Sequence, residues 1–197
     1  MSKPLSDMIA SSAIPAVISD PRLPDNPIVD CNDAFMALTG YSRADIIGHN
    51  CRFLKGPATE AERTDELRQA VREKRPAIVE LWNYRKDGTP FRNAVMVAPI
   101  FGETGEVEYF LGSQMAVGEP DGQATQRSAD ARLRIDALTA RQRDVLVAMT
   151  AGKLNKQIAW DMGLTERTVK MHRAAMLKAL GVRTGAEAIR LAIEAGY

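Results

Sequence analysis

The chain has 197 residues, with 26 Lys/Arg against 25 Asp/Glu and the composition of an ordinary globular protein; that length suits two small domains. No apolar run is long enough to span a bilayer. Its two cysteines, Cys31 and Cys51, are too few for a disulfide scaffold and lack metal-ligand spacing, so no metal site is expected.

The stretch Met1–Asp7 lacks the apolar core of a secretory signal, and the expectation is a cytoplasmic protein with no membrane partner. Charge is unevenly spread. Residues 1–117 carry 13 Lys/Arg and 16 Asp/Glu, whereas residues 118–197 carry 13 and 9. The positive excess is concentrated between Leu138 and Arg183, with nine basic residues against three acidic ones. That points to a polyanion partner at one end of the molecule.

In chain order, residues 1–13 read as a short frayed lead-in. Ile14–Asp20 is a first strand stopped by Pro21, Pro24–Pro27 a turn, and Ile28–Cys31 a second strand. Asn32 is placed to cap a short helix carrying Phe35 and Leu38 and ended by Gly40. Ser42–Asp45 starts another short helix that stops at Gly48. Next comes Gly48-His49-Asn50-Cys51-Arg52-Phe53-Leu54-Lys55-Gly56, which sets one thiol between an amide and a guanidinium. A lone cysteine is ordinarily a small buried hydrophobe, so this one needs context. Thr64–Lys74 reads as a helix with Leu67, Ala70 and Val71 on one face.

Three strand-like runs follow: Ala77–Lys86, Phe91–Ile100 and Val107–Val117. Alternation along a strand puts Val79, Leu81 and Asn83 on one face and Glu80, Trp82 and Tyr84 on the other. By the same rule Phe91, Asn93, Val95 and Val97 share a face, as do Phe110, Gly112 and Gln114. If those faces coincide, three amides line an otherwise apolar pocket. Buried amides need partners, and a heteroaromatic ring edged with carbonyl and N–H groups would supply them. The opposite face, with Trp82, Tyr84, Met96, Tyr109, Leu111 and Met115, is too apolar to be left in water. Another domain or a second copy should cover it.

Gly118–Thr125 is rich in Gly, Pro and Asp and reads as a linker, followed by a helix over Ser128–Ala137. The remainder is helical. Leu138-Thr139 caps a helix from about Ala140 to Ala151, Asn155 caps one through Met162, and Thr165 caps a third through about Leu180. A fourth runs from about Gly185 to Ala195.

The motifs resemble two known families. Asp20-Pro21-Arg22-Leu23-Pro24-Asp25-Asn26-Pro27, Asn50-Cys51-Arg52-Phe53-Leu54, Asn83-Tyr84, Asn93 and Phe110-Leu111-Gly112-Ser113-Gln114 are similar to the LOV domain, the flavin-binding, blue-light-sensing branch of the PAS fold. Asn155-Lys156-Gln157-Ile158-Ala159, Thr168-Val169-Lys170-Met171-His172-Arg173 and Leu180-Gly181-Val182 resemble a LuxR-type helix-turn-helix. The resemblance implies an α+β PAS/LOV domain with an antiparallel sheet over residues 14–117, a linker with a short helix over 118–137, and an all-α four-helix DNA-binding domain over 138–197.

That resemblance also implies roles. Cys51 forms a reversible bond to carbon C4a of an FMN flavin under light, and N5 of the ring is protonated. The chain is then a sensor and not an enzyme. Asn83 and Asn93 hold the polar edge of the ring, Asn50 and Phe110 help to bind it, and Arg52 and Arg68 clamp a phosphate. Many LOV domains have Gln where this chain has Lys55, which adds a cation near that phosphate or loses a hydrogen bond. Gln114 is the expected relay, because its amide can donate from nitrogen or accept at oxygen. Cys31 matches no functional LOV position.

In the helical part, Thr165–Leu180 is the expected recognition helix in the major groove of double-stranded DNA. Lys170 and Met171 reach bases, Lys156 and Arg173 lie nearer phosphates, and Arg167 and Thr168 add contacts. Ala188, Leu191 and Ala192 give the last helix a stripe suited to a light-induced homodimer, or to covering the outer sheet face in the dark. Two other readings keep the DNA-binding output: a flavin that senses redox state, and a PAS module that takes a different ligand while Cys51 is inert.

Overall fold

A computed structural model describes residues 3–118 and 123–197. It opens with helix α1 (Lys3–Ile9), strands β1 (Ala16–Ser19) and β2 (Ile28–Cys31), and helices α2 (Asp33–Thr39) and α3 (Arg43–Ile46). A 3-10 turn at Cys51–Leu54, helix α4 (Ala61–Arg72) and strands β3 (Ala77–Tyr84), β4 (Pro90–Phe101) and β5 (Val107–Ala116) follow. Then come five helices: α5 (Gln123–Asp136), α6 (Ala140–Thr150), α7 (Asn155–Met162), α8 (Glu166–Leu180) and α9 (Gly185–Glu194). Among the described residues no helix is long and apolar enough to cross a membrane.

The strands form one antiparallel sheet in the order β2-β1-β5-β4-β3. Its register sets Asn93 opposite Leu81, Val95 opposite Val79 and also opposite Gln114, and Val97 opposite Gly112. Directly paired residues share a face, so the inward sets converge as alternation requires.

Part of the outer face is covered by the chain's own helical part: Met96, Tyr109 and Leu111 join its core, whereas Trp82, Tyr84 and Met115 do not. Ala16, Ile18, Met96, Ala98, Ile100 and Leu111 of the sheet join a single apolar core with Val145, Leu146, Ile158, Val169, Leu191 and Ala192. Met96 and Leu111 are fully buried there. Helix α9 lies against β3 and β5, and its start is fixed by Thr184, whose hydroxyl accepts from Glu187 N. A second junction lies at the end of β4. Phe101 N donates to Gly152 O at 3.0 Å, and a Cβ on Gly152 would stand 2.3 Å from Pro99 O. Only glycine admits so close an approach, and its φ of +78° also suits glycine.

Several boundaries differ from the sequence reading. Within the expected lead-in, α1 carries Ile9 into the core at 1% exposure. Asn32 holds that segment by donating to the carbonyls of Ile9, Ser12 and Ile14, while its oxygen accepts from Ala16 N and caps α2 at Phe35 N. Helix α4 begins at Ala61, three residues before the expected Thr64. Helix α5 begins at Gln123, ahead of the expected Ser128. Leu154, not Asn155, occupies the N-cap position of α7. The expected linker at Gly118–Thr125 falls partly on residues 119–122, outside the described residues.

Candidate functional site

Between the inner sheet face, the Cys51 turn and α4 lies a cavity of about 470 Å³, within the range of small-molecule sites. Val17, Leu81, Val95 and Phe110 form its sheet wall, Leu67 and Val71 its helix wall, and Cys51 its floor. Asn50 shapes this end of it. The Asn50 Oδ1 atom accepts from Arg52 N at 3.1 Å, capping the 3-10 turn, and its Nδ2 donates to the carbonyls of Asp25 and Asn26. Asp25 and Asn26 both have left-handed backbones, with φ of 72° and 48°, which their short polar side chains tolerate.

The three inward amides meet one another and the thiol. Asn93 Nδ2 donates to Asn83 Oδ1 at 2.8 Å and to Gln114 Oε1 at 2.9 Å. Gln114 Nε2 in turn donates to Cys51 Sγ at 3.3 Å. Asn83 Nδ2 turns back to Trp82 O, and Asn93 Oδ1 accepts from Met115 N. The amides and the thiol thus form one connected hydrogen-bonded set, with which a ligand must exchange bonds. Burial pushes the Cys51 thiol up to about 11, against the smaller lowering effect of the Gln114 hydrogen bond. The sulfur is thus a thiol at neutral pH, and it is not an ordinary thiolate nucleophile.

At the mouth, Arg52 and Arg68 both line the cavity, but each already has a carboxylate. Arg52 Nη2 pairs with both oxygens of Asp25 at 2.5 and 2.6 Å, and Arg68 pairs with Asp65. Lys55 lines the same mouth; burial and then the charges of Arg68 and Arg52 lower its pKa. Among the lining residues to which the sequence reading gave no binding role are Asn26, Thr64 and Arg72. Asn26 Oδ1 is buried with no hydrogen-bond partner among the described residues, so it is an acceptor open to a donor from a ligand. Arg72 was signalled only by its i+4 spacing from Arg68 on α4. Cys31 is buried away from the cavity, with its carbonyl held by Arg43.

The basic helical region divides its expected DNA contacts. Arg167, Lys170 and Met171 on α8 are exposed. Thr168 is partly buried and shares a hydrogen bond with the helix-capping Thr165. Arg173 is partly buried and donates to Asn155 Oδ1 at 2.5 Å, with its pKa lowered by burial. Lys156 is paired with Glu103 of the β4–β5 turn at 2.8 Å. The same turn accepts a bond from Gln157 Nε2 at Gly102 O, at 2.6 Å. The α9 stripe of Ala188, Leu191 and Ala192 is buried, and between its members lies Arg190, 1% exposed. Sequence reasoning passed over Arg190, and also Trp160 on α7, which is 86% exposed. Among the described residues no group of three or more His, Cys, Asp or Glu is placed to hold a metal.

Residues 16–115 match the PAS domain family, and residues 136–192 match the luxR family of bacterial regulatory proteins. The chain belongs to the PAS domain family. Its PAS domain is of the LOV kind and precedes a LuxR-type domain. Over 120 residues the chain is 50% identical to blue-light-activated histidine kinase 1 of Erythrobacter litoralis, an alignment covering 61% of this chain and 33% of that protein. The chain thus spans about a third of that relative's length. The light-state structure of the aureochrome1 LOV domain superposes with a TM-score of 0.55 at 38% identity, covering 61% of this chain and 93% of the other. A further LOV structure, described as a study with a flavin analogue, gives 0.55 and 38% over 59% of this chain and 87% of its own. The LOV sheet and the helical LuxR-type domain together make up the α+β and all-α halves anticipated from the motifs.

Proposed function

We propose that this chain is a blue-light-regulated transcription factor that binds FMN in the LOV cavity and double-stranded DNA through α8. One observation carries the reading: Cys51 is hydrogen-bonded to Gln114 on a strand whose outer face lies under α9. A single strand separates the thiol from the helical domain.

The cavity suits a flavin. Apolar walls flank an amide edge of Asn83 and Gln114, both held by Asn93, and the unpartnered oxygen of Asn26 offers a further acceptor. Phe110 and Leu81 provide apolar surface, and Asn50 positions the loop that closes one end. When bound, a flavin would supply light capture and an electrophilic ring carbon; Cys51 would offer the sulfur that bonds it reversibly and the thiol proton that a ring nitrogen would take up. The protonated thiol carries that proton already, so no separate base is required.

Gln114 then has a decision to make with two ends. Its nitrogen faces Sγ and its oxygen faces Asn93. Turning the amide over reverses both, and Asn93 Nδ2 loses one of its two acceptors. Both residues sit on strands in direct contact with the helical domain on the other face. Loss of order there loosens α9, which exposes Ala188, Leu191 and Ala192 for pairing with a second copy on DNA. A hundredfold swing each way between closed and open states needs about 5.5 kcal/mol of differential stabilisation, which dimer and DNA contacts made only by the open form help to supply.

The test is spectroscopic first. Purified protein should be yellow, bleach under blue light and recover in darkness, while Cys51→Ala should stay yellow without bleaching. A chain that binds no flavin sinks the reading. DNA binding measured in light and in darkness tests the output; equal affinity in both would remove the masking role of α9.

A further inference from the structure

The head of α9 is held from a side other than the sheet. Ser12 Oγ donates to Glu187 Oε1 at 2.9 Å, and both residues are buried, at 7% and 9% exposure. The direction of that bond is fixed. Ile14 N already donates to Ser12 Oγ at 3.0 Å, which leaves the hydroxyl proton for the carboxylate. Glu187 uses its other oxygen to accept from Arg183 N at 2.8 Å, and among the described residues it forms no salt bridge. While α9 is docked, Oε1 therefore relies on Ser12 for its donor; once α9 leaves, water takes that place. A contact made in only one of two positions is what biases a conformational equilibrium. The segment that carries Ser12 is tied to the sensor domain at two points. Asn32 Nδ2 donates to the carbonyls of Ile9, Ser12 and Ile14, and Pro15 O accepts from Gln114 N at 2.8 Å. Only Ala13 and Ile14 separate Ser12 from Pro15.

We propose that residues 9–15 form a strap linking the backbone of Gln114 to the head of α9, with Ser12 as the positioning residue that holds α9 docked in darkness. This rests on the release of α9 proposed above, and it adds a route to that helix beside the one across β5. Gln114 meets Cys51 Sγ with its side chain and Pro15 with its backbone. A shift of β5 at Gln114 is therefore passed along the strap and withdraws the Ser12 hydroxyl. The buried Glu187 carboxylate is then short of a donor until α9 moves into water.

The test follows amide hydrogen exchange in the full-length, FMN-loaded chain, in darkness and under blue light. In the wild-type chain light should speed exchange in residues 9–15 and in α9 together. Ser12→Ala should raise the dark exchange of α9 by about tenfold. Its bleaching, dark recovery and light-state exchange should match the wild type, which also shows that it is folded. The strap is overturned if α9 of Ser12→Ala exchanges in darkness as slowly as in the wild type, or speeds up equally in both states. It is overturned as well if light speeds exchange in wild-type α9 and leaves residues 9–15 unchanged, an arm that needs no variant. Wild-type exchange in α9 that light does not alter would instead sink the release of α9 itself, and the strap with it.

Discussion

Arg190 donates to Ser113 Oγ at 3.1 Å across the boundary between the two domains. Ser113 immediately precedes Gln114, whose side chain projects from the opposite face of β5 to the Cys51 sulfur. The same guanidinium donates to Ala94 O, next to Asn93 on β4, and to Glu194 within α9. One buried cation thus touches the chain neighbours of Asn93 and Gln114, the two residues of the proposed amide relay. Its Nη2 has no partner among the described residues, so the contact holds the domains together at a desolvation cost. A marginal latch of that kind is suited to release.

Arg190→Ala should therefore loosen α9 in darkness. The expected outcome is a rise of about tenfold in dark-state DNA affinity and a smaller ratio between light and dark, read by fluorescence anisotropy. Unchanged dark affinity would mean that Arg190 only fills space.

Glu103 holds Lys156 at 2.8 Å from the other junction, raising the lysine pKa while its own is lowered. Both side chains are largely exposed, so the pair alone is weak. Glu103→Gln should raise dark DNA affinity by about threefold or less, and Glu103→Lys by more, through repulsion. Salt titration of both variants checks this, since the gain should shrink as screening increases.

Gln114→Leu should separate the photochemistry from the response. Bleaching should persist because Cys51 is intact, while light no longer changes DNA affinity. The substitution also removes an acceptor of Asn93 Nδ2, and a stability loss of about 1–3 kcal/mol is expected in denaturant melts of the apoprotein. A full light response in Gln114→Leu would assign the relay elsewhere.

The Cys51 thiol gives a pH signature. Its pKa rises from 9.0 to about 11 through burial. The neutral form is favoured in the folded state, so the associated stability is complete below the unfolded value and is lost as pH climbs through the folded one. Between about pH 9 and 11, wild-type apoprotein should lose stability relative to Cys51→Ala. Alkylation at pH 8 should be slow compared with a free thiol, by about a hundredfold for a two-unit shift in pKa.

Strand alternation made most of the cavity legible from the chain alone. Asn83, Asn93 and Gln114 fall on one face by parity, and the register joins them. The apolar outer face also announced that it needed a cover. What parity cannot convey is who is already engaged. Arg52 meets Asp25 across 27 positions because a loop with two left-handed residues folds back, and no local pattern encodes that meeting. Helix α1 has only seven residues, too few to display a helical period. The pairing of Lys156 with Glu103 depends on docking between domains, which only tertiary structure supplies.

Ser12 Oγ donates to Glu187 Oε1 at 2.9 Å, and Glu187 also receives the amide of Arg183 at the head of α9. The first and last helices of the chain are in contact. The contact between α1 and α9 therefore lies beside the seam that light is proposed to open, and a fluorophore pair placed on these two helices would report that opening directly.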